Sequence, residues 1–235
     1  MNSPLPIFIG YEAREHDPYR VAVRSIESRA SVPVLITPLV IENLGHYIPP
    51  PLQKDGMYWD IESEAYQSTT FARSRFCVPF LQNQGWALFA DSDTLCLADI
   101  KELFNLADDR YAVMVVKHKH ESGDDTKMDG QVQAYYERKN WSSVMLWNCS
   151  HPAHYRLTPD RLNRWPGRDL HAFKWLQDDE IGELSGEWNH LVGIDQGDAK
   201  LLHYTLGTPD MVDSPMADVW FMELHQMEKR KGAVK

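Results

Sequence analysis

The sequence predicts a single α/β domain with a central, mostly parallel sheet flanked by helices. Three observations carry this reading. Apolar runs of strand length alternate with segments whose apolar residues recur at helical spacing, starting with a β-α-β pattern. One such run, Trp86-Ala-Leu-Phe-Ala90, ends in two carboxylates one residue apart, Asp91 and Asp93, and a helix-start signal follows at Asp99-Ile-Lys-Glu102. Ligands in open α/β sheets bind outside the carboxyl ends of strands, where this pair would lie. Finally, 235 residues suffice for one sizeable core and nothing demands a second, so residues 1–235 are read as one domain.

In order, Leu5-Pro-Ile-Phe-Ile9 is a strand closed by Gly10, and Tyr19 to Ile26 is a helix by its apolar spacing. Val32 to Val40 supplies a second strand. Glu42 to Thr70, with Pro49-Pro50-Pro51, Gly45, Gly56 and scattered aromatics, shows no periodicity and reads as a long functional loop. Tyr58 and Trp59 in it either meet an acceptor or pin the loop to the body. Phe71 to Leu81 reads as a helix carrying Arg73 and Arg75 into the acidic strand. Each arginine is either a cation for a diphosphate or half of a surface ion pair.

Ile100 to Leu106 is a short helix, and Tyr111-Ala-Val-Met-Val-Val116 a buried strand. Lys117 to Asn140 is polar and charged, with His118, His120, Gly123, Asp124, Asp125 and Gly130, and is expected to act as a lid, its histidines solvated. Trp141-Ser-Ser-Val-Met-Leu-Trp147 resumes strand character. Arg168 to Leu176 has helical spacing, and Gln177-Asp178-Asp179-Glu180 after it reads as a solvated helix end. Leu201 to Pro209 is a short strand running into a turn, Ala217 to Met227 a closing helix, and 229–235 a frayed tail.

A net charge of −10 argues against nucleic acid or an anionic membrane surface as the main partner. A phosphorylated ligand would need a metal or a local basic group to enter. Cys77, Cys96 and Cys149 form no C-x-x-C pair, and no signal peptide or long apolar span is present. The expectation is a reduced, cytoplasmic protein without a membrane span, its cysteines packed as small hydrophobes.

The acidic pair carries the chemistry. If strand geometry persists one step past the apolar run, Asp91 and Asp93 point the same way, and two such charges need a cation between them. Hard oxygen ligands suit Mg²⁺ or Mn²⁺, ions that take substrate phosphates as further ligands. The competing reading is a simple turn over Asp91-Ser92-Asp93, since these residues bond readily to nearby backbone.

In order and spacing, these segments resemble the metal-dependent GT-A fold glycosyltransferases, above all the glycogenin-like and lipopolysaccharide-galactosyltransferase-like family. The motifs are Ile9-Gly10-Tyr11, Arg75-Phe-Cys-Val-Pro79, Asp91-Ser92-Asp93, Ser142-Ser143-Val-Met-Leu, Asp178-Asp179-Glu180 and His203-Tyr-Thr-Leu-Gly207. The resemblance implies Asp91, Asp93 and His203 as ligands of Mn²⁺ or Mg²⁺. It places Ile9, Gly10, Tyr11, Ser92, Ser142, Ser143 and Gly207 about a nucleotide-sugar, with Tyr11 beside the base. Arg75 is set near the diphosphate or donor sugar, and Asp178 or Asp179 at a glycan or other hydroxyl acceptor. A UDP-linked donor and retention at the anomeric centre follow from the same likeness. The family's lysine after H-x-x-G has no match before Pro209, so Lys127 or an arginine would have to substitute. The chain also looks like a bacterial set of uncharacterised glycosyltransferase-like proteins that share Arg138-Lys-Asn-Trp-Ser-Ser and Trp188-Asn-His.

Two rival functions remain. The strand followed by Asp91-Ser-Asp93-Thr94-Leu also resembles the haloacid-dehalogenase phosphatase signature, with Asp91 as nucleophile and Asp93 as acid/base. The other rival is a module that binds a nucleotide-sugar without turning it over.

Overall fold

In the computed structural model, which describes residues 3–45, 47–54, 57–119 and 138–232 (230–232 as backbone alone), the chain opens with β1 (Leu5–Tyr11), α1 (His16–Glu27) and β2 (Val34–Val40). β1 and β2 pair in parallel from Leu5 with Val34 to Tyr11 with Val40, so α1 is the crossover of the expected β-α-β unit. The stretch read as a loop holds instead an antiparallel meander of β3 (Leu52–Lys54), β4 (Met57–Asp60) and β5 (Ala65–Gln67). Strands of three or four residues that pair only with one another carry too little periodicity to announce themselves. Buried Asp60, at the end of β4, forms an ion pair with buried Arg73 and ties the meander to the body. The helix expected over Phe71–Leu81 shrinks to a 3-10 turn (Ser74–Cys77) and α2 (Val78–Gln82), closed by Asn83 at φ 65°.

β6 (Trp86–Ala90) pairs in parallel with β1, and β7 (Thr94–Cys96) then leaves the main sheet. α3 (Ile100–Phe104) starts as predicted, with the Asp99 side chain accepting from Lys101 N. β8 (Val113–Val116) follows. The lid expected over 117–140 is described only at its two ends: His120, Gly123, Asp124, Asp125, Lys127 and Gly130 lie outside the described residues, as does Gly56. β9 (Val144–Asn148) runs antiparallel between β6 and β8.

α4 (Pro159–Arg164) is capped by Thr158, whose hydroxyl accepts from Arg161 N. α5 (Gly167–His171) stops short of Leu176 because the chain turns at Phe173, which takes φ 54°. Gln177 to Glu180 is a 3-10 turn in which Gln177 and Glu180 cap one another, and it feeds β10 (Ile181–Leu184) directly. β11 (His190–Leu191) and β12 (Leu201–His203) precede α6 (Ala217–Gly232), which stays helical through Lys229–Lys231; 233–235 lie outside the described residues.

The main sheet has the order β10-β8-β9-β6-β1-β2, parallel throughout except for β9. Its parallel strands therefore share one carboxyl edge. Core packs on both faces. Phe8, Phe89, Met145 and Trp147 meet Phe76, Phe173 and Trp175 on one side, while Ile7, Ile9, Leu88 and Leu146 meet Ala22, Ile26, Ile100 and Leu103 on the other. Each such fully buried side chain contributes roughly 1.5–3 kcal/mol, so the strand tips rest on a rigid base. The second sheet, β11-β12-β7, is held against α1 and α6 by Val21, Leu95, Leu202, Tyr204 and Trp220.

Candidate metal centre

Strand geometry ends at Ala90. Asp91, Ser92 and Asp93 form the turn into β7, closed by Thr94 Oγ1 donating to Asp91 O at 2.8 Å. The turn and the convergence of carboxylates, opposed in the sequence reading, hold together here, because the turn swings β7 into the second sheet. There β7 pairs antiparallel with β12, Thr94 opposite His203, and Tyr204 N donates to Asp93 O at 2.9 Å. That pairing carries a residue distant in sequence to the acidic turn. One ligand atom each from Asp91, Asp93 and His203 lies within 4.8 Å of the others, and His203 Nε2 is 3.5 Å from Asp93 Oδ1.

Behind the imidazole sits Asn189, fully buried between β10 and β11. Its Nδ2 donates to Asn140 O at 3.0 Å, which turns Oδ1 toward His203 Nδ1, also at 3.0 Å. The amide oxygen accepts only if Nδ1 carries the proton, so the Nε2 lone pair is left facing the aspartates. Behind Asp91 sits Arg75, whose Nη1 and Nη2 lie 3.0 and 2.8 Å from the two carboxylate oxygens. Nη1 also donates to Ser142 O at 2.9 Å, and Nε to Ala72 O at 3.0 Å.

Burial pushes the Asp91 carboxyl up, opposed by Arg75 and reinforced by Asp93. Two carboxylates in a poorly solvated turn with one paired cation leave negative charge for a second cation to meet. Two hard oxygens and one imidazole nitrogen suit Mn²⁺ or Mg²⁺, so these residues fit the expected ion.

The other predicted residues distribute as follows. Ile9 is buried in β1 beside Ala90. Gly10 is needed for space, since a Cβ there would come within 2.4 Å of the Phe71 ring. Tyr11, at the tip of β1, packs edge-on to Tyr19 with centroids 5.0 Å apart. Ser143 O accepts from Asp91 N at 2.9 Å, and Ser142 Oγ lies 2.6 Å from His171 Nδ1. Gly207, at φ 125°, closes the turn after His203.

The surface ion pair expected of the arginines is not found. Arg75 is buried and engages Asp91 with both terminal nitrogens. Nor is Arg73 at the surface, for it is buried against Asp60. Asp178 and Asp179 lie in the 3-10 turn before β10. The Asp178 side chain is 90% exposed and paired with Arg138, two residues before Asn140, whose carbonyl holds Asn189 behind His203.

Three residues of the centre escape sequence reasoning. Asn189 lies in the Trp188-Asn-His segment but gives no sign there of its partner. His171 sits in a short helix without a motif; burial and the nearby Arg75 and Arg73 hold its imidazole well below the usual range. Glu15, from the turn before α1, accepts from Ser92 Oγ, and burial together with Asp93 and Glu12 raises its carboxyl to about 7.

Solved structures with this architecture include the apo form of the glycosyltransferase GlyE of Streptococcus pneumoniae TIGR4, with a TM-score of 0.60 and 16% identity over 94% of this chain and 60% of that one. The WbbM bifunctional glycosyltransferase superposes with a TM-score of 0.57 at 16% identity, over 95% of this chain and 52% of its own. The galactosyltransferase LgtC, solved with donor and acceptor sugar analogs, gives a TM-score of 0.56 at 11% identity, over 94% and 96% of the two chains. This chain thus spans between half and 60% of the WbbM and GlyE chains. The likeness establishes the GT-A glycosyltransferase fold. No protein-family model matches the sequence. Protein CDI of the plant Arabidopsis thaliana is 44% identical over 237 residues, covering 96% of this chain and 88% of that protein. At that identity across nearly its whole length, the chain belongs to the family of Protein CDI.

Proposed function

We propose that this chain is a metal-dependent glycosyltransferase, moving a sugar from a UDP-linked donor to an acceptor hydroxyl with retention at the anomeric centre. The observation that carries the reading is the gathering of Asp91, Asp93 and His203 at the carboxyl edge of a GT-A sheet, with ligand atoms within 4.8 Å of one another. Mn²⁺ or Mg²⁺ held there would act as a Lewis acid on the leaving diphosphate, an effect of several kcal/mol. The chain's own residues supply orientation. Asn189 sets the His203 tautomer, and Arg75 fixes the plane of the Asp91 carboxylate. Tyr11 and Gly10 at the tip of β1 are assigned to the nucleotide side, Ser142 and Ser143 to the sugar side. Asp178 or Asp179 is assigned to the acceptor side. The bidentate grip of Arg75 on Asp91 also weighs against a phosphatase in which Asp91 attacks phosphorus. Cys77, Cys96 and Cys149 are free and buried, which supports a reduced, cytoplasmic setting; among the described residues no helix is long and apolar enough to cross a membrane.

Thermal-shift screening of UDP, GDP and CMP, each with and without Mn²⁺, tests the donor class, since a ligand that binds only the folded state raises the melting temperature. The expected result is a rise with UDP that requires Mn²⁺. Slow Mn²⁺-dependent hydrolysis of a UDP-sugar is expected of the enzyme; no turnover would make it a binding module, and hydrolysis of a simple phosphate ester without nucleotide would favour the phosphatase.

A further inference from the structure

The loop between β1 and α1 meets the turn between β6 and β7 at the sheet edge. A side-chain hydrogen bond joins them, from Ser92 Oγ to Glu15 Oε2 at 2.5 Å. Ser92 is 1% exposed, and the Glu15 side chain 18%. Glu15 occupies the N-cap position of α1 and makes no cap bond to its own helix. Its carboxylate reaches across to another segment instead. Ser92 also reaches away from its own segment. A serine that only shaped a turn would bond its own neighbouring backbone, as Thr94 does in this turn.

The base of this contact is itself anchored. Glu12 accepts from Thr70 N at 2.9 Å and pairs with Arg14, and Arg14 donates to Ser68 O at 2.6 Å. The loop that presents Glu15 is therefore stapled to the segment before α2. Ser92 stands between the two aspartates, so whatever fixes its side chain fixes the rotation of the turn that aims both carboxylates.

We infer that Glu15 is a positioning residue for the metal centre: by holding Ser92 Oγ it locks the turn in the rotation that points Asp91 and Asp93 toward the same spot as His203 Nε2. This rests on the reading of Asp91, Asp93 and His203 as metal ligands. Glu15 acts through Ser92 and needs no contact with the ion, so what it provides is a hydrogen-bond acceptor and not a charge.

The test is Mn²⁺ affinity of the full chain without nucleotide, followed by the electron paramagnetic resonance of free Mn²⁺. Glu15→Ala and Ser92→Ala are each expected to weaken binding about tenfold, the scale of a lost outer-shell partner. Glu15→Gln is expected to stay within about twofold of wild type, because its amide oxygen accepts the same bond. The double variant is expected to be no weaker than Ser92→Ala, since both changes remove one interaction. Wild-type affinity in Glu15→Ala, loss in Glu15→Gln equal to that in Glu15→Ala, or additive losses in the double variant would each overturn the inference. If Glu15→Ala does not fold, Ser92→Ala, which removes a single oxygen, decides alone. A wild-type protein that binds Mn²⁺ no better than Asp93→Asn would sink the metal centre itself, a result distinct from losses confined to Glu15 and Ser92.

Discussion

Asn189 shows what a single buried amide can do at this centre. One end is held by a backbone carbonyl and the other by an imidazole, so neither the amide nor the ring is free to flip. Asn189→Ala strands Asn140 O without that donor and His203 Nδ1 without an acceptor, at a cost of about 1–3 kcal/mol per buried group. Mn²⁺ affinity is expected to fall about 10- to 100-fold. Calorimetric Mn²⁺ titration together with urea denaturation measures both effects, and an unchanged affinity would show that the ring keeps its orientation without Asn189. At this scale the sequence was informative about ligands and silent about their supports. Aspartates two apart after an apolar run, and a histidine in H-x-x-G, announce themselves by local pattern. Arg75 as the partner of Asp91, Glu15 as the partner of Ser92 and Asn189 behind His203 depend on chain segments 14 to 77 residues apart meeting in space.

At the scale of elements, β1 is legible but the reason for its glycine is not. The sequence shows Gly10 only as the close of an apolar run; in the fold it admits the Phe71 ring against the strand. Gly10→Ala therefore overpacks the tip of β1 and is expected to cost about 1–3 kcal/mol, read as a lowered midpoint in urea. β9 offers a second test through His154, which packs edge-on to Trp147 and has Nε2 3.0 Å from Asn148 O and 3.1 Å from Ala112 O. Burial lowers its pKa to about 4, with His151 lowering it further and Glu180 opposing, against an unfolded value near 6.5. The unfolded chain thus binds the extra proton first as pH falls. The contribution of neutral His154 is fully present above about pH 6.5 and is lost progressively toward pH 4, a change of up to about 3 kcal/mol. Urea midpoints across that range should drop more steeply for wild type than for His154→Gln; parallel curves would contradict the assignment. The short elements, β3 to β5 and β10, were hidden because three or four residues cannot display a period, and the acidic turn before β10 imitates a solvated helix end.

For the whole molecule, the parallel sheet and its carboxyl edge were legible because buried parallel strands read as apolar runs. The second sheet was not: a strand is legible from Leu201, but β7 and β11 are three and two residues, and only their pairing with β12 turns the chain back on itself. That pairing makes the centre a property of the assembled fold. The central claim, that one divalent ion on Asp91, Asp93 and His203 holds a nucleotide diphosphate, meets its most direct test in isothermal titration of UDP in Mn²⁺ and in chelator, for wild type and Asp93→Asn. The account predicts binding by wild type in Mn²⁺ alone and none by Asp93→Asn in either buffer. Equal binding of UDP by the two proteins, or wild-type binding undiminished by chelator, would contradict it.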